Sequence, residues 1–165
     1  MTMDKTLLKG CLILIVEDYK DTRDAIRLFL DLCGARVLAA ATGRDGLDLV
    51  SRYHPKVIVS DLSMPQMDGY DLLGHVRELA PEDAAPVIAL TAHSDAEERQ
   101  KALKAGFARF LTKPVDPEQL VHEICNVLEP DWVFLTKTAK SQFVSKNSDL
   151  SPAPRRPYRG LPPRD

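Results

Sequence analysis

Apolar and polar positions follow one another along this chain in blocks whose period switches back and forth. Residues 11–16 (CLILIV) are an unbroken apolar run of β-formers closed by Glu17 and Asp18. A run of that length is too short for a buried helix and predicts a strand covered on both faces. Residues 21–33 then place Ala25, Ile26, Leu28, Phe29, Leu30 and Leu32 at helical spacing, and Gly34 stands where a helix would stop. The cycle repeats with a strand over 36–40, a helix over 43–53, and a strand over 57–60 (VIVS) that ends at Asp61. It continues with a helix over 70–79, a strand over 87–90 (VIAL) reaching Thr91, and a helix over 95–105 with Gly106 as its C-terminal cap. The last pair is a strand over 107–111 and a helix over 117–128, with Pro117 in its first turn. Five βα repeats in about 120 residues are too few for an eight-fold barrel and predict an open parallel sheet with helices on both faces.

Composition narrows the picture. The 165 residues are 44% hydrophobic and 28% charged, which suits one globular domain plus a short extension and excludes wholesale disorder. No apolar run approaches the roughly 20 residues of a membrane span, and residues 1–10 are too polar for a signal peptide, so the expected location is the cytoplasm. Cys11, Cys33 and Cys125 lack the two-residue spacing of redox or zinc sites and are expected to be buried, reduced thiols. His122 and Cys125 have no second pair to complete a tetrahedral metal site.

Charge is divided unevenly. Up to Pro130 there are 15 basic and 21 acidic side chains, and beyond it 7 and 3. The acidic body argues against a nucleic-acid surface, because affinity for phosphate backbones comes chiefly from Lys and Arg. Five of the 12 prolines fall in the last 14 residues. We therefore expect an N-terminal extension over 1–9, a domain over 10–130 and a basic, Pro-rich tail over 131–165, mostly disordered after about residue 136. Trp132 and Phe134 are expected to pack beside the fifth helix.

Ligand chemistry is decided at the strand ends. The loop after the first strand, EDYKDTRD, has no glycine and is acidic, which argues against dinucleotide and flavin phosphates. In an open α/β sheet the carboxyl ends of the strands form the functional edge, and there the topology gathers Glu17, Asp18, Asp61, Thr91 and Lys113. Three carboxylates in a partly dehydrated crevice repel one another unless a cation compensates, and oxygen donors suit Mg²⁺. An aspartate beside a cation and a Lys ammonium can attack phosphorus, forming an acyl phosphate. The Thr91 hydroxyl is suited to holding a phosphoryl oxygen, and small Ala92 leaves access.

At these residues the chain resembles the receiver domain of two-component response regulators. The matching stretches are ILIVEDYKDTRD, VIVSDLSMPQMDGYDLL, VIALTAH and ARFLTKPVDPEQL, with 30 residues from Asp61 to Thr91 and 22 from Thr91 to Lys113. They cover about residues 10–129. The resemblance implies a flavodoxin-like, doubly wound five-stranded sheet of order 2-1-3-4-5. It implies Asp61 as phosphoacceptor, with Asp18, Asp61, the Ser63 backbone carbonyl and, through water, Glu17 around Mg²⁺. Thr91 would bond the phosphoryl group, Lys113 would pair with it, the Lys113 to Pro114 bond would be cis, and Thr91 with Phe110 would form the switch. Phe110 lacks the hydroxyl of the commoner Tyr, so its signal would depend on where the ring packs. Met64, Pro65 and Gly69 read as turn-makers, and Tyr70 as partly buried.

The implied partners are a histidine kinase or phosphotransfer protein and a downstream protein that reads the surface of the fourth helix, fifth strand and fifth helix, with no membrane or direct DNA binding. No output domain fits in the 35 residues after Pro130. The leading function is a single-domain regulator that is a phosphoacceptor and not an enzyme. The alternatives are a constitutive pseudo-receiver, a receiver fragment of a hybrid kinase, and a hydrolase using the same acids. Intact Asp61, Thr91 and Lys113 oppose the pseudo-receiver, and the lack of a second aspartate two residues after Asp61 opposes the hydrolase.

Overall fold

The computed structural model describes residues 6–128. The elements are β1 (Leu12–Val16), α1 (Lys20–Leu32), β2 (Arg36–Ala40), α2 (Gly43–Tyr53), β3 (Val57–Asp61), α3 (Gly69–Leu79), β4 (Val87–Thr91), α4 (Ala96–Ala105), β5 (Arg109–Thr112) and α5 (Pro117–Val127). All strand pairs are parallel, in the order β2-β1-β3-β4-β5, the order that the resemblance implies. Chain direction across the sheet reverses between β1 and β3, so the crevice of a doubly wound sheet opens at their carboxyl ends.

The apolar runs divide their side chains between two cores, one on each face, as strand alternation requires. On one face Ile13, Ile15, Val57, Val59, Ile88 and Leu90 pack with Ile26 and Leu30 of α1 and Leu120 and Ile124 of α5. On the other, Leu14, Val16, Ile58, Val87 and Ala89 meet Val50 of α2, Leu72 and Val76 of α3, Ala102 of α4 and the rings of Phe107 and Phe110. Leu8, which falls in the expected N-terminal extension, is fully buried in the first core, and its amide donates to Cys33 O.

Side chains cap the starts of four helices. Thr42, Asp68, Asp95 and Asp116 accept backbone N–H bonds at the starts of α2, α3, α4 and α5. The largest boundary difference is at β5, which starts at Arg109 and not at Phe107. Gly106 closes α4 in the left-handed region, and the Phe107 amide bonds back to Ala102 O, so Phe107 belongs to the helix terminus. Cys11 and Cys33 are buried as expected, but Cys125 is only half-buried. The expected tail over 131–165, with Trp132 and Phe134, lies outside the described residues.

Candidate functional site

Strand pleating places the cluster. Glu17 continues the alternation of Ile13 and Ile15, and Asp61 that of Val57 and Val59, so both acids follow the α1/α5 side of the sheet. Lys113, after Leu111, reaches the same side. Its ammonium lies 2.7 Å from Glu17 Oε2 and 3.2 Å from Asp61 Oδ2. Asp18 is exposed at the rim, and ligand atoms of Glu17, Asp18 and Asp61 all lie within 4.8 Å of one another.

The backbone aims these acids. The Tyr19 amide donates to Glu17 Oε1 at 3.1 Å, and the Ser63 amide donates to Asp61 Oδ1 at 3.2 Å. Gly69 lets α3 approach the acid strand, since a Cβ there would stand 2.6 Å from the Asp61 carbonyl oxygen and 3.0 Å from Leu62 Cα. Asp68 is accounted for by helix capping: Asp68 and Asp71 each accept the other's backbone amide. The Lys113 to Pro114 bond is cis.

Burial raises the Asp61 carboxyl above the usual carboxylate range, against the opposing pull of Lys113. Burial likewise raises Glu17, although the Lys113 hydrogen bond works the other way. Burial alone would lower the Lys113 ammonium, but Glu17 and Asp61 outweigh it and raise its pKa. Glu17 Oε2 is fully buried, and among the described residues no hydrogen-bond donor reaches it besides that ammonium. Three close carboxylates with one buried oxygen this sparsely served form a hard-oxygen donor set suited to a divalent cation such as Mg²⁺.

Thr91 and Phe110 follow the other side of the sheet. Thr91 continues the alternation of Val87 and Ala89, is buried, and its hydroxyl accepts the His93 amide at 3.1 Å. Phe110, in register with Ala89, is buried against the α2–α4 face. Ala92 is exposed beside the cleft, and Met64 is buried. Between α1 and the β5–α5 loop lies a cavity of about 360 Å³, floored by Ala25, Ile26, Phe29, Pro114 and Leu120 and edged by Asp21, Thr22 and Lys113.

One functional contact had no sequence signal that we recognised. Arg23, on the first turns of α1, donates from Nη1 to Glu17 O at 2.7 Å and holds the β1–α1 loop beneath the acids. An arginine just inside a helix that follows an acidic loop is the signal that could have found it.

A family profile described as "Response regulator receiver domain" matches residues 13–125. This chain belongs to the response regulator receiver family. Among curated proteins, this receiver is 48% identical over 122 residues to an uncharacterized 14.6 kDa protein of Leptolyngbya boryana, covering 72% of this chain and 93% of that one. It is 34% identical to the response regulator Rre1 of Synechocystis, covering 70% of this chain and 51% of Rre1. The chain thus spans nearly all of the first relative and about half of the second. Among solved structures, it matches the chemotaxis response regulator CheY4 of Vibrio cholerae with a TM-score of 0.67 at 30% identity, covering 72% of this chain and 98% of that one. A putative response regulator from Chloroflexus aurantiacus matches with a TM-score of 0.68 at 31% identity, covering 73% and 98%.

Proposed function

We propose that the receiver accepts a phosphoryl group on Asp61 from a phosphohistidine of a histidine kinase or phosphotransfer protein, and signals by protein contact as a single-domain regulator. The observation that carries this reading is the Lys113 ammonium, 3.2 Å from Asp61 Oδ2, in a cluster of three carboxylates. An Asp61 oxygen attacks phosphorus and the new P–O bond forms as the P–N bond breaks, its electron pair leaving with the donor imidazole. Lys113 offsets charge on the phosphoryl oxygens, and the Ser63 amide keeps the acid aimed. Glu17, Asp18, Asp61 and the Ser63 carbonyl would hold Mg²⁺, which when bound neutralises the acids and draws charge from the transferring group. The phosphoaspartate would engage the Thr91 hydroxyl, with Phe110 following, and the altered surface would be that of α4, β5 and α5.

The cavity beside Lys113 offers a phosphodonor protein an apolar seat next to the acid. The near-complete match to a 14.6 kDa relative supports the single-domain reading. Among the described residues no helix is long and apolar enough to cross a membrane, in keeping with a cytoplasmic site of action. The reading makes the protein a phosphoacceptor and not an enzyme acting on a separate substrate.

Intact-mass analysis after incubation with acetyl phosphate and Mg²⁺ tests it. The wild type should gain one base-labile phosphoryl group, and Asp61→Asn, or wild type with a chelator, should gain none. Equal labelling of Asp61→Asn would overturn the assignment.

A further inference from the structure

Helix α4 meets the domain through Ala102 in the core, through β5 beside it and through polar side chains of α3. Ala102 is its one buried residue, and Leu103 is 39% exposed. Near its N-terminal end the Tyr70 hydroxyl donates to Glu98 Oε1 at 2.9 Å, across 28 residues of sequence. The Lys101 ammonium lies 4.8 Å from the centre of the same ring, whose edge-to-face partner is Phe107 at 5.3 Å. At the other end Arg77 donates to Ala105 O at 2.8 Å and to Gly106 O at 3.1 Å.

The N-terminal attachment is linked to Thr91 through short steps. The Glu98 amide donates to the side chain of Asp95 at 2.8 Å, and the His93 amide donates to Thr91 Oγ1 at 3.1 Å. Only residues 92–95 separate the end of β4 from the start of α4. Displacement of Thr91 therefore pulls on a helix turn whose outer end Tyr70 holds.

We propose that the Tyr70–Glu98 hydrogen bond is a tether that holds the first turn of α4 and restrains the 91–95 loop, which makes Tyr70 a positioning residue for phosphoryl acceptance at Asp61. The inference rests on the receiver reading given above. Tyr70 touches neither the acids nor the phosphoryl group; it acts through Glu98 and the loop. Loss of the tether frees the loop to reach its phosphorylated position at smaller cost, so phosphoryl acceptance becomes faster.

Tyr70→Phe tests this with little disturbance, because the ring keeps its place against Phe107 and beneath Lys101. Amide exchange over 96–101, measured without any phosphodonor, should accelerate about five-fold, the effect of losing one hydrogen bond of net strength near 1 kcal/mol. The rate of labelling by acetyl phosphate with Mg²⁺ should rise about three- to five-fold. Glu98→Ala should do the same, and the double variant should match either single change, because both remove one interaction. Unchanged exchange in Tyr70→Phe, or faster exchange with an unchanged labelling rate, would overturn the tether; the second result would mark a structural contact only. A wild type that takes no label would overturn the receiver reading and the tether's role together, and is distinguishable from a labelled wild type whose rate Tyr70→Phe leaves alone.

Discussion

Helices α3 and α4 each follow a strand that ends in a candidate phosphoryl-handling side chain, Asp61 and Thr91, and each is capped by an aspartate, Asp68 and Asp95. Their attachments are of different kinds. Over 11 residues α3 buries Gly69, Leu72, Leu73 and Val76, and its first glycine lies against the Asp61 carbonyl. Over 10 residues α4 buries Ala102 and relies on Tyr70 and Arg77 of α3 for its polar anchors. Apolar burial holds the acid side against a penalty of several kcal/mol, whereas single hydrogen bonds near the surface hold the Thr91 side against about 1 kcal/mol each. A helix held in the second way can be displaced by an event as small as one new bond to Thr91.

The strongest way to break this contrast is to truncate one side chain on each helix. Leu72→Ala should destabilise the protein by about 2–5 kcal/mol, the usual cost of a cavity at a fully buried leucine. Leu103→Ala should change stability by about 0.5 kcal/mol or less, as exposed positions do. Chemical denaturation of both variants measures the difference. Similar losses at the two positions would mean that α4 is buried as firmly as α3.

The sequence exposes α3 and α4 unequally for the same physical reason. Runs of β-formers closed by Glu17, Asp61 and Thr91 mark the strands and put candidate residues at their ends, so the parallel sheet and the cluster with Lys113 can be read from order and period. The strand order comes from the family resemblance, because periodicity carries no information about which strands are neighbours. The Tyr70–Glu98 and Arg77–Gly106 contacts are not legible. Each depends on how far one long side chain reaches across a fold, 28 or 29 residues away in the case of α3 and α4. Phe107 reads as a strand residue because it is apolar, but its amide bonds back to Ala102 O, so it belongs to the end of α4 and β5 starts at Arg109.

That glycine gives a smaller test, aimed at the C-terminal anchor of α4. Gly106→Ala should cost about 1–2 kcal/mol, the usual penalty of a left-handed backbone for a residue with a Cβ. A Cβ there would also occupy the position of the Arg77 guanidinium and force it off the Ala105 and Gly106 carbonyls. In an Arg77→Ala background the same substitution should cost less, since nothing remains to be displaced. Equal costs in the two backgrounds, measured by denaturant midpoints, would show that Arg77 does not anchor α4.

The smallest effect, and the one most specific to the N-terminal anchor, is spectroscopic. Burial and then the Glu98 carboxylate push the Tyr70 hydroxyl from about 10 up to about 12. Because the folded value is raised, the stability contributed by the protonated hydroxyl is fully present below pH 10. It is lost as pH rises from about 10 through about 12, where ionisation would set two negative charges against each other. Absorbance titration should therefore show an ionisation near pH 12 that is absent in Tyr70→Phe. In Glu98→Gln that ionisation should move toward lower pH while remaining above 10, since burial persists after the carboxylate charge is removed. The stability difference between wild type and Tyr70→Phe should shrink over the same interval. A Tyr70 that ionises near 10 would mean that its hydroxyl is not held by Glu98 in solution, and would leave Arg77 as the polar anchor that α3 gives α4.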